Sequence, residues 1–390
     1  MIDPKGRRGT LHEGGYKVKP RITELLKKKD RIKERLEEEL GRPRARRARR
    51  DHHARRRPRH CGMTIHTGIG CSFACIYCYI WDMGFPGRPK AYPLEPMELA
   101  YALAVNPYVV PEATMAAYGS VTEPFQPETR ERALAYIREV HRWLGLPSQV
   151  STKAVIDREL ARSLKASDPG LSLLITVVAL GDKAKRLEPR APPAEERLEG
   201  ARTALREGLH VALFLRPIMP GVNEEDLFDI LEAAARIGVR DIVLGSLRAT
   251  TGILARLEAA GFDTGKIRRL LVRKPRSAKD QVPIDTSSIK RELASYARSL
   301  GLRVHPSACS HNMVSHGMPC HACRMGPCYS RPPVPDRDDV IEAINYLGGS
   351  VEDVEASYPY IILRGLRGVR RDVAVEVLSA ASKLMVRILG

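Results

Sequence analysis

The chain has 390 residues, 43% of them hydrophobic, with a formal net charge of +18 and 8 cysteines. Single cores stop growing near roughly 250–300 residues, so this length fits one large domain with appendages. The longest near-apolar stretch, 171–180, is about half of what a membrane-spanning helix needs, and the N-terminus is polar where a secretory signal would turn apolar, so the expectation is a cytoplasmic protein with no membrane partner.

Residues 1–60 hold 22 Lys/Arg against 9 Asp/Glu, so most of the net charge is local to them. A charged helical stretch is expected around 21–40, and ten arginines without an aromatic residue fill 42–59. This composition reads as a basic, largely disordered arm. Such an arm suits nucleic-acid phosphates without reading bases, and a solvated tail with no specific partner is the plainer alternative. Only four Asn and three Gln occur in the chain, an amide depletion that, with abundant charge, points to a thermophilic origin.

From residue 63 the pattern changes to short β-rich runs alternating with amphipathic helices, the signature of βα units around a parallel sheet. Strands are predicted at 63–67, 115–119, 149–151, 172–178, 211–215 and 241–244. Between them, a helix over 128–144 places Ala133, Leu134, Ile137, Val140 and Leu144 on one stripe. Another runs from 193 to 207 and stops at Gly208; a third starts at the cap Asn223 with Glu224, Glu225 and Asp226 in its first turn and stops at Gly238. Six such units make an α/β fold, a partial (β/α)6 TIM-type barrel over 61–250. A helix over 288–299, a short strand at 302–305 and a Cys/His-rich loop form an extension over 251–330. Pro332, Pro333 and Pro335 mark a linker into a small α/β C-terminal module, 331–390, expected as helix, strand (360–363) and helix.

The decisive motif is Cys71-Ser72-Phe73-Ala74-Cys75-Ile76-Tyr77-Cys78, directly after the first predicted strand and a Thr67-Gly68-Ile69-Gly70 turn. Three thiolates on one short loop hold three irons of a cubane cluster and leave the fourth open. The alternative, a structural zinc knuckle, wants four ligands, which this loop lacks unless His66 or Cys61 joins. Tyr77 is placed to pack beside a nucleobase, its plainer reading being a core aromatic.

These residues and the blocks that follow resemble the radical S-adenosylmethionine (SAM) superfamily, in the branch that includes spore photoproduct lyase and DNA-repair-photolyase-like proteins. The blocks are Gly119-Ser120-Val121-Thr122-Glu123-Pro124-Phe125-Gln126-Pro127, Ser151-Thr152-Lys153 with Asp157-Arg158, Leu187-Glu188-Pro189 with Glu196-Arg197-Leu198, and Arg216-Pro217-Ile218-Met219-Pro220-Gly221. Each falls at the C-terminal end of a predicted strand, where barrels of this kind build active sites. The resemblance implies a 4Fe–4S cluster on Cys71, Cys75 and Cys78, reductive cleavage of SAM to a 5′-deoxyadenosyl radical, and an electron donor such as ferredoxin or flavodoxin. It places Ser120, Thr122 and Glu123 at the SAM amino group and Ser151 and Lys153 at its carboxylate, although Lys153 also reads as a solvated strand-end lysine. It puts Arg216 at the carboxylate, ribose or substrate, and Met219 within a segment, 218–221, beneath the adenine. Glu188 and Arg190 are candidates for the substrate pocket, or pair with each other or with solvent.

Cys309, Cys320, Cys323 and Cys328 form a second group, with His305, His311, His316 and His321 among them. Four thiolates make a complete tetrahedral set, open to an auxiliary iron–sulfur cluster, a structural zinc, or unbound thiols. Cys61 is assigned no role. The function expected is radical chemistry that modifies or repairs nucleic acid. The alternatives are a radical SAM modifier of a protein or small molecule, and a non-catalytic metal-binding nucleic-acid adaptor.

Overall fold

A computed structural model describes residues 21–59 and 62–389. Residues 1–20, His60, Cys61 and Gly390 lie outside them, and with them any placement of the first third of the basic arm.

The rest of that arm corrects the expectation of disorder. Helix α1 (Ile22–Arg50) holds over 29 residues, with a kink at Gly41 (φ +70°). The helical stretch expected to Leu40 is its first half; the arginine run continues it beyond the kink. Arginine is itself a good helix former, and the apolar residues between the charges are spaced to bury one side. Leu36, Leu40, Ala45 and Ala48 pack into the main core, and Ile22, Leu25 and Leu26 into the core of the C-terminal module. Composition alone underrated this because the helix has no strong core of its own and borrows two.

Seven parallel strands form the main sheet: β1 (Met63–Ile65), β2 (Ala116–Tyr118), β3 (Ser148–Thr152), β4 (Ser172–Thr176), β5 (His210–Ile218), β6 (Asp241–Ser246) and β7 (Arg303–His305). They lie side by side in chain order, and among the described residues no ladder joins β7 back to β1. The architecture is therefore an open TIM-type arc of seven strands; the strand assigned to the extension is its last member, paired with β6. β4 is buried along its whole length, as expected of parallel strands covered on both faces. Leu173 and Ile175 face the outer helices, while Leu174, with Ala212 and Val243 from β5 and β6, faces the arc's interior against Ala308.

The crossover helices follow the sequence closely. After α2 (Pro96–Val105), α3 (Arg130–Leu144) buries Ala133, Tyr136, Ile137, Val140 and Leu144 and ends at Gly145 in the left-handed conformation. Each fully buried aliphatic side chain contributes about 1.5–3 kcal/mol, so that stripe holds α3 to the sheet. Next come α4 (Arg158–Ser167), α5 (Gly181–Leu187), α6 (Ala194–Arg206) and α7 (Glu224–Ile237). Asn223 precedes α7 as expected, yet its side chain does not cap it: the amide donates to the Val178 and Pro217 carbonyls and accepts from the Met219 amide, tying β5's exit to the strand beside it.

Beyond β6, α8 (Thr251–Ala259), α9 (Gly265–Arg269) and α10 (Ser287–Ser299) complete the outer layer, and α11 (Ala308–Ser315) turns inward against the strands. The C-terminal module contains α12 (Arg337–Tyr346), a three-stranded sheet of β8 (Asp353–Ser357), β9 (Tyr360–Arg364) and β10 (Met385–Leu389), and α13 (Arg371–Ser382). Only β9 of these strands is expected from the sequence. The module shares its core with the start of α1 and with Tyr108, Val110 and Ala113 of the barrel.

Candidate active site

The Cys71–Cys78 loop leaves β1 through Gly68–Ile69, which pairs with Lys90–Ala91. Gly70 has φ +86°, and a Cβ there would lie 2.4 Å from the Pro86 carbonyl oxygen, so only glycine admits the turn into Cys71. The loop is then pinned from four directions. Cys71 N–H donates to Pro86 O (3.2 Å) and Ile76 N–H to Leu187 O (3.0 Å). Ser72 N–H donates to Gln126 Oε1 (2.8 Å). Arg256 of α8 donates to the Ile76 and Cys78 carbonyls (2.8 and 3.0 Å) and forms a two-pronged pair with Asp82 (2.8 and 3.0 Å), whose carboxylate also accepts from Thr250.

Cys71, Cys75 and Cys78 open onto one cavity of about 410 Å³ at the C-terminal ends of the strands. Tyr77, Ser120, Thr122, Glu123, Ser151, Lys153 and Arg216 line it with them. The sequence-derived set is thereby brought together from β1, β2, β3 and β5, with one exception. Met219 is fully buried in the core and does not line the cavity, because the chain turns at Pro217 to Asn223 and carries the side chain behind the wall.

Burial pushes the Cys71 thiol up to about 11 and raises Cys75 and Cys78 as well. The thiols therefore keep their protons near neutral pH until a metal displaces them. Glu123 is buried, which raises its carboxyl; Thr152 Oγ1 and the Lys153 and Phe125 amides donate to it and work the other way. Its bonds hold the Ser151–Lys153 corner against β2. At the same corner Gly119 (φ +92°) passes so near that a Cβ would lie 2.3 Å from Ser151 O. The half-buried Lys153 ammonium sits 5.6 Å from the Tyr77 ring centroid.

Glu188 is not a pocket-lining group. It is 2% exposed, pairs with the equally buried Arg197, and accepts from Tyr77 Oη, while Arg197 also donates to Thr176 O (2.7 Å). This chain fixes the Tyr77 ring from behind. Arg190 is exposed and joins the loop only through its amide, to Phe73 O (3.2 Å). Sequence reasoning misses Arg256 and Asp82: α8 lies far along the chain, and no local pattern marks an arginine that caps a distant loop's carbonyls.

The cavity suits the groups the motif implies. Three thiols converge on it from one loop, and the buried Ser120 Oγ beside them has no hydrogen-bond partner. As they stand, no three His, Cys, Asp or Glu side chains among the described residues are drawn around a position for a single metal ion.

Residues 65–234 match the model of the Radical SAM superfamily. The matched segment runs from the end of β1 into α7 and contains the cysteine loop and the blocks at 119–127, 151–153 and 216–221. Among solved structures, a spore photoproduct lyase mutant with bound AdoMet and dinucleoside spore photoproduct is 16% identical, with a TM-score of 0.53 over 65% of this chain and 79% of that one. A second mutant of that lyase is 17% identical, with a TM-score of 0.52 over 63% and 77%. At such identity the likeness establishes a shared fold. An uncharacterized protein of Acidianus two-tailed virus is 27% identical over 209 residues, 49% of this chain and 69% of its own length.

No helix among the described residues is long and apolar enough to cross a membrane.

Proposed function

We propose that this protein is a radical SAM enzyme that modifies or repairs nucleic acid. Cys71, Cys75 and Cys78 would hold a 4Fe–4S cluster, whose chemistry is one-electron reductive cleavage of SAM to methionine and a 5′-deoxyadenosyl radical. The surrounding residues bind and orient. Ser120 and Thr122 offer hydroxyls at the cavity wall, and Lys153 offers the cation for a carboxylate. Glu123 acts as a positioning residue, since its oxygens are already engaged by Thr152 and two amides. Tyr77, locked by Glu188, gives an apolar face on which a planar base can lie and water is excluded.

The observation that carries the nucleic-acid reading is the charge at the cavity's rim. Arg216 and Arg248 are exposed and line it. Arg248 pairs through Pro283 with a hairpin whose tip spans 273–281, and Gln281 at its end also lines the cavity. Residues 264–279 contain seven cations and no acid; Lys266, Arg268 and Arg273 pair with Glu224, Glu258 and Asp280, and Arg269, Lys274, Arg276 and Lys279 are exposed. Much of the arm's charge is engaged internally instead: Arg44 and Arg47 pair with the buried Glu98, Arg49 with Glu37, and Arg57 with Glu376. We therefore assign the main phosphate contact to the rim hairpin.

Two measurements test this. Replacing Cys71, Cys75 and Cys78 by Ala should abolish 5′-deoxyadenosine formation from SAM and dithionite; persistent formation would overturn the radical SAM assignment. The combined K274S/R276S/K279S variant should keep SAM cleavage but bind duplex DNA with a log–log salt slope shallower by about 2–3, at roughly 0.9 for each phosphate no longer neutralised. An unchanged slope would remove the hairpin from the interface.

A further inference from the structure

Cys309, Cys320, Cys323 and Cys328 all line one cavity of about 90 Å³, well away from the radical SAM loop. Gly62 and Met115, which immediately precede β1 and β2, are also in its wall. It therefore lies at the N-terminal ends of the strands, whereas Cys71, Cys75 and Cys78 lie at the C-terminal ends. At the first turn of α11 the neighbouring residues Ala308 and Cys309 line the one cavity and the other respectively.

The four histidines interleaved with these cysteines are all drawn elsewhere. His305 bonds Asp241 (2.6 Å), His311 bonds Ser172 (2.7 Å), His316 bonds Asp168 (3.2 Å) and His321 bonds the Tyr358 hydroxyl (2.6 Å). What remains around the cavity is an all-sulfur donor set, the soft set that suits iron–sulfur clusters and zinc. Cys320 and Cys328 are held face to face by reciprocal backbone hydrogen bonds (3.1 and 2.7 Å).

The size of the cavity separates these possibilities. A single water-sized species needs only about 10–15 Å³, and a tetrathiolate zinc site closes its sulfurs directly around the ion. The cavity that the four cysteines line with their neighbours, about 90 Å³, is several times larger. Lys383, 2% exposed and in the same wall, suits any tetrathiolate centre. Its ammonium donates to the Ala113 carbonyl and stands where a cation offsets the negative charge of four thiolates, which burial without compensation would make costly.

We propose that Cys309, Cys320, Cys323 and Cys328 hold a second iron–sulfur cluster, beneath the arc and opposite the SAM-cleaving site. The cavity draws its wall from distant parts of the chain: Arg59 and Gly62 before β1, Met115 before β2, α11, the Cys320–Cys328 loop, and α13, which contributes Glu376, Ser379 and Ala380. A cluster there joins the N-terminal arm, the barrel and the C-terminal module at one point.

The test uses the full chain with Cys71→Ala, Cys75→Ala and Cys78→Ala together, reconstituted anaerobically with ferrous iron and sulfide. The expected result is about four irons and a matching amount of acid-labile sulfide per chain, with a dithionite-dependent paramagnetic signal, all lost when Cys320→Ala and Cys323→Ala are added. A triple variant that is folded by circular dichroism but carries one zinc without sulfide, or no metal, overturns the proposal. The count on the triple variant decides the matter even where the quintuple variant fails to fold. It is independent of the proposed substrate, since the SAM-cleaving ligands are absent from that protein.

Discussion

Arg256 shows how one side chain outside the recognised motif holds the cysteine loop. It satisfies two loop carbonyls and neutralises the buried Asp82, so its loss leaves an uncompensated carboxylate in the interior. Removing one partner of a buried pair typically costs about 3–5 kcal/mol, reduced here because Arg256 itself is partly exposed. Arg256→Ala should lower the thermal midpoint and, more tellingly, speed the loss of iron during gel filtration from the cluster proposed at Cys71, Cys75 and Cys78. Arg256→Lys should recover part of the midpoint and little of the iron retention, since an ammonium cannot make the same planar set of bonds. Equal iron retention in wild type and Arg256→Ala would show that the clamp does not shape the loop. At the same scale, the Arg197–Glu188–Tyr77 chain explains why a carboxylate beside the cluster loop is structural: each of its charged ends already has a partner.

The junction between α1 and β1 is an acid-sensitive element. His66 lies at the end of β1, where burial first, then the neighbouring His53 and Arg56, push its pKa down to about 3 from an ordinary 6.5. The unfolded chain binds a proton there that the fold refuses, so this contribution to stability is complete above pH ~6.5 and is lost progressively as pH falls toward 3. Asp51 follows below it. Burial would raise its carboxyl, but hydrogen bonds from His53 and Tyr92 bring it down to about 2 from 3.8, and its contribution, present above pH ~4, is lost toward pH 2. Urea midpoints measured from pH 7.5 to 4 should decline, and His66→Asn should flatten that decline; a parallel curve would exclude His66 as its source. The same element view revises the basic arm. Leu36 is fully buried beneath α1, and Leu36→Ala should cost about 2–5 kcal/mol in urea unfolding. A cost near zero would return α1 to the status of a loosely attached tail.

At the scale of the whole molecule, the open arc brings α11 inside, the C-terminal module against α1, and a cationic hairpin to the rim. The spore photoproduct lyase structures share the fold. The cavity at Cys71, Cys75 and Cys78 is lined, among the described residues, by no cysteine beyond these three. No cysteine occurs between Cys78 and Cys309, and Cys309 lines the other cavity. A thiol that returns a hydrogen atom to a substrate radical must sit beside that substrate. We therefore expect SAM cleavage without efficient repair when a dinucleotide spore photoproduct is offered with SAM and dithionite under anaerobic conditions. Multiple turnovers to dithymidine, followed by chromatography, would overturn this expectation.

The local information in the chain was enough for much of this. Strand and helix positions follow from short β-rich runs and period-3.6 stripes, and the CxxxCxxC loop is recognisable because three candidate ligands on eight residues need no distant partner. The blocks at 119–127, 151–153 and 216 were legible for the same reason: each is a short strand-end segment whose place in a parallel sheet is fixed by its strand. What the sequence did not disclose were pairings between residues far apart in the chain. Met219 falls behind the cavity wall because of how one turn folds back, Glu188 is taken up by Arg197, and Arg256 reaches a loop 178 residues earlier. The arginine-rich segment reads as disordered by composition, yet it folds because two separate cores supply the apolar contacts that its own residues lack. Likewise the second cysteine group becomes all-sulfur only in three dimensions, where Asp241, Ser172, Asp168 and Tyr358 take up the four histidines. Spacing sets which groups are near one another along a segment; only packing decides which of them already have partners.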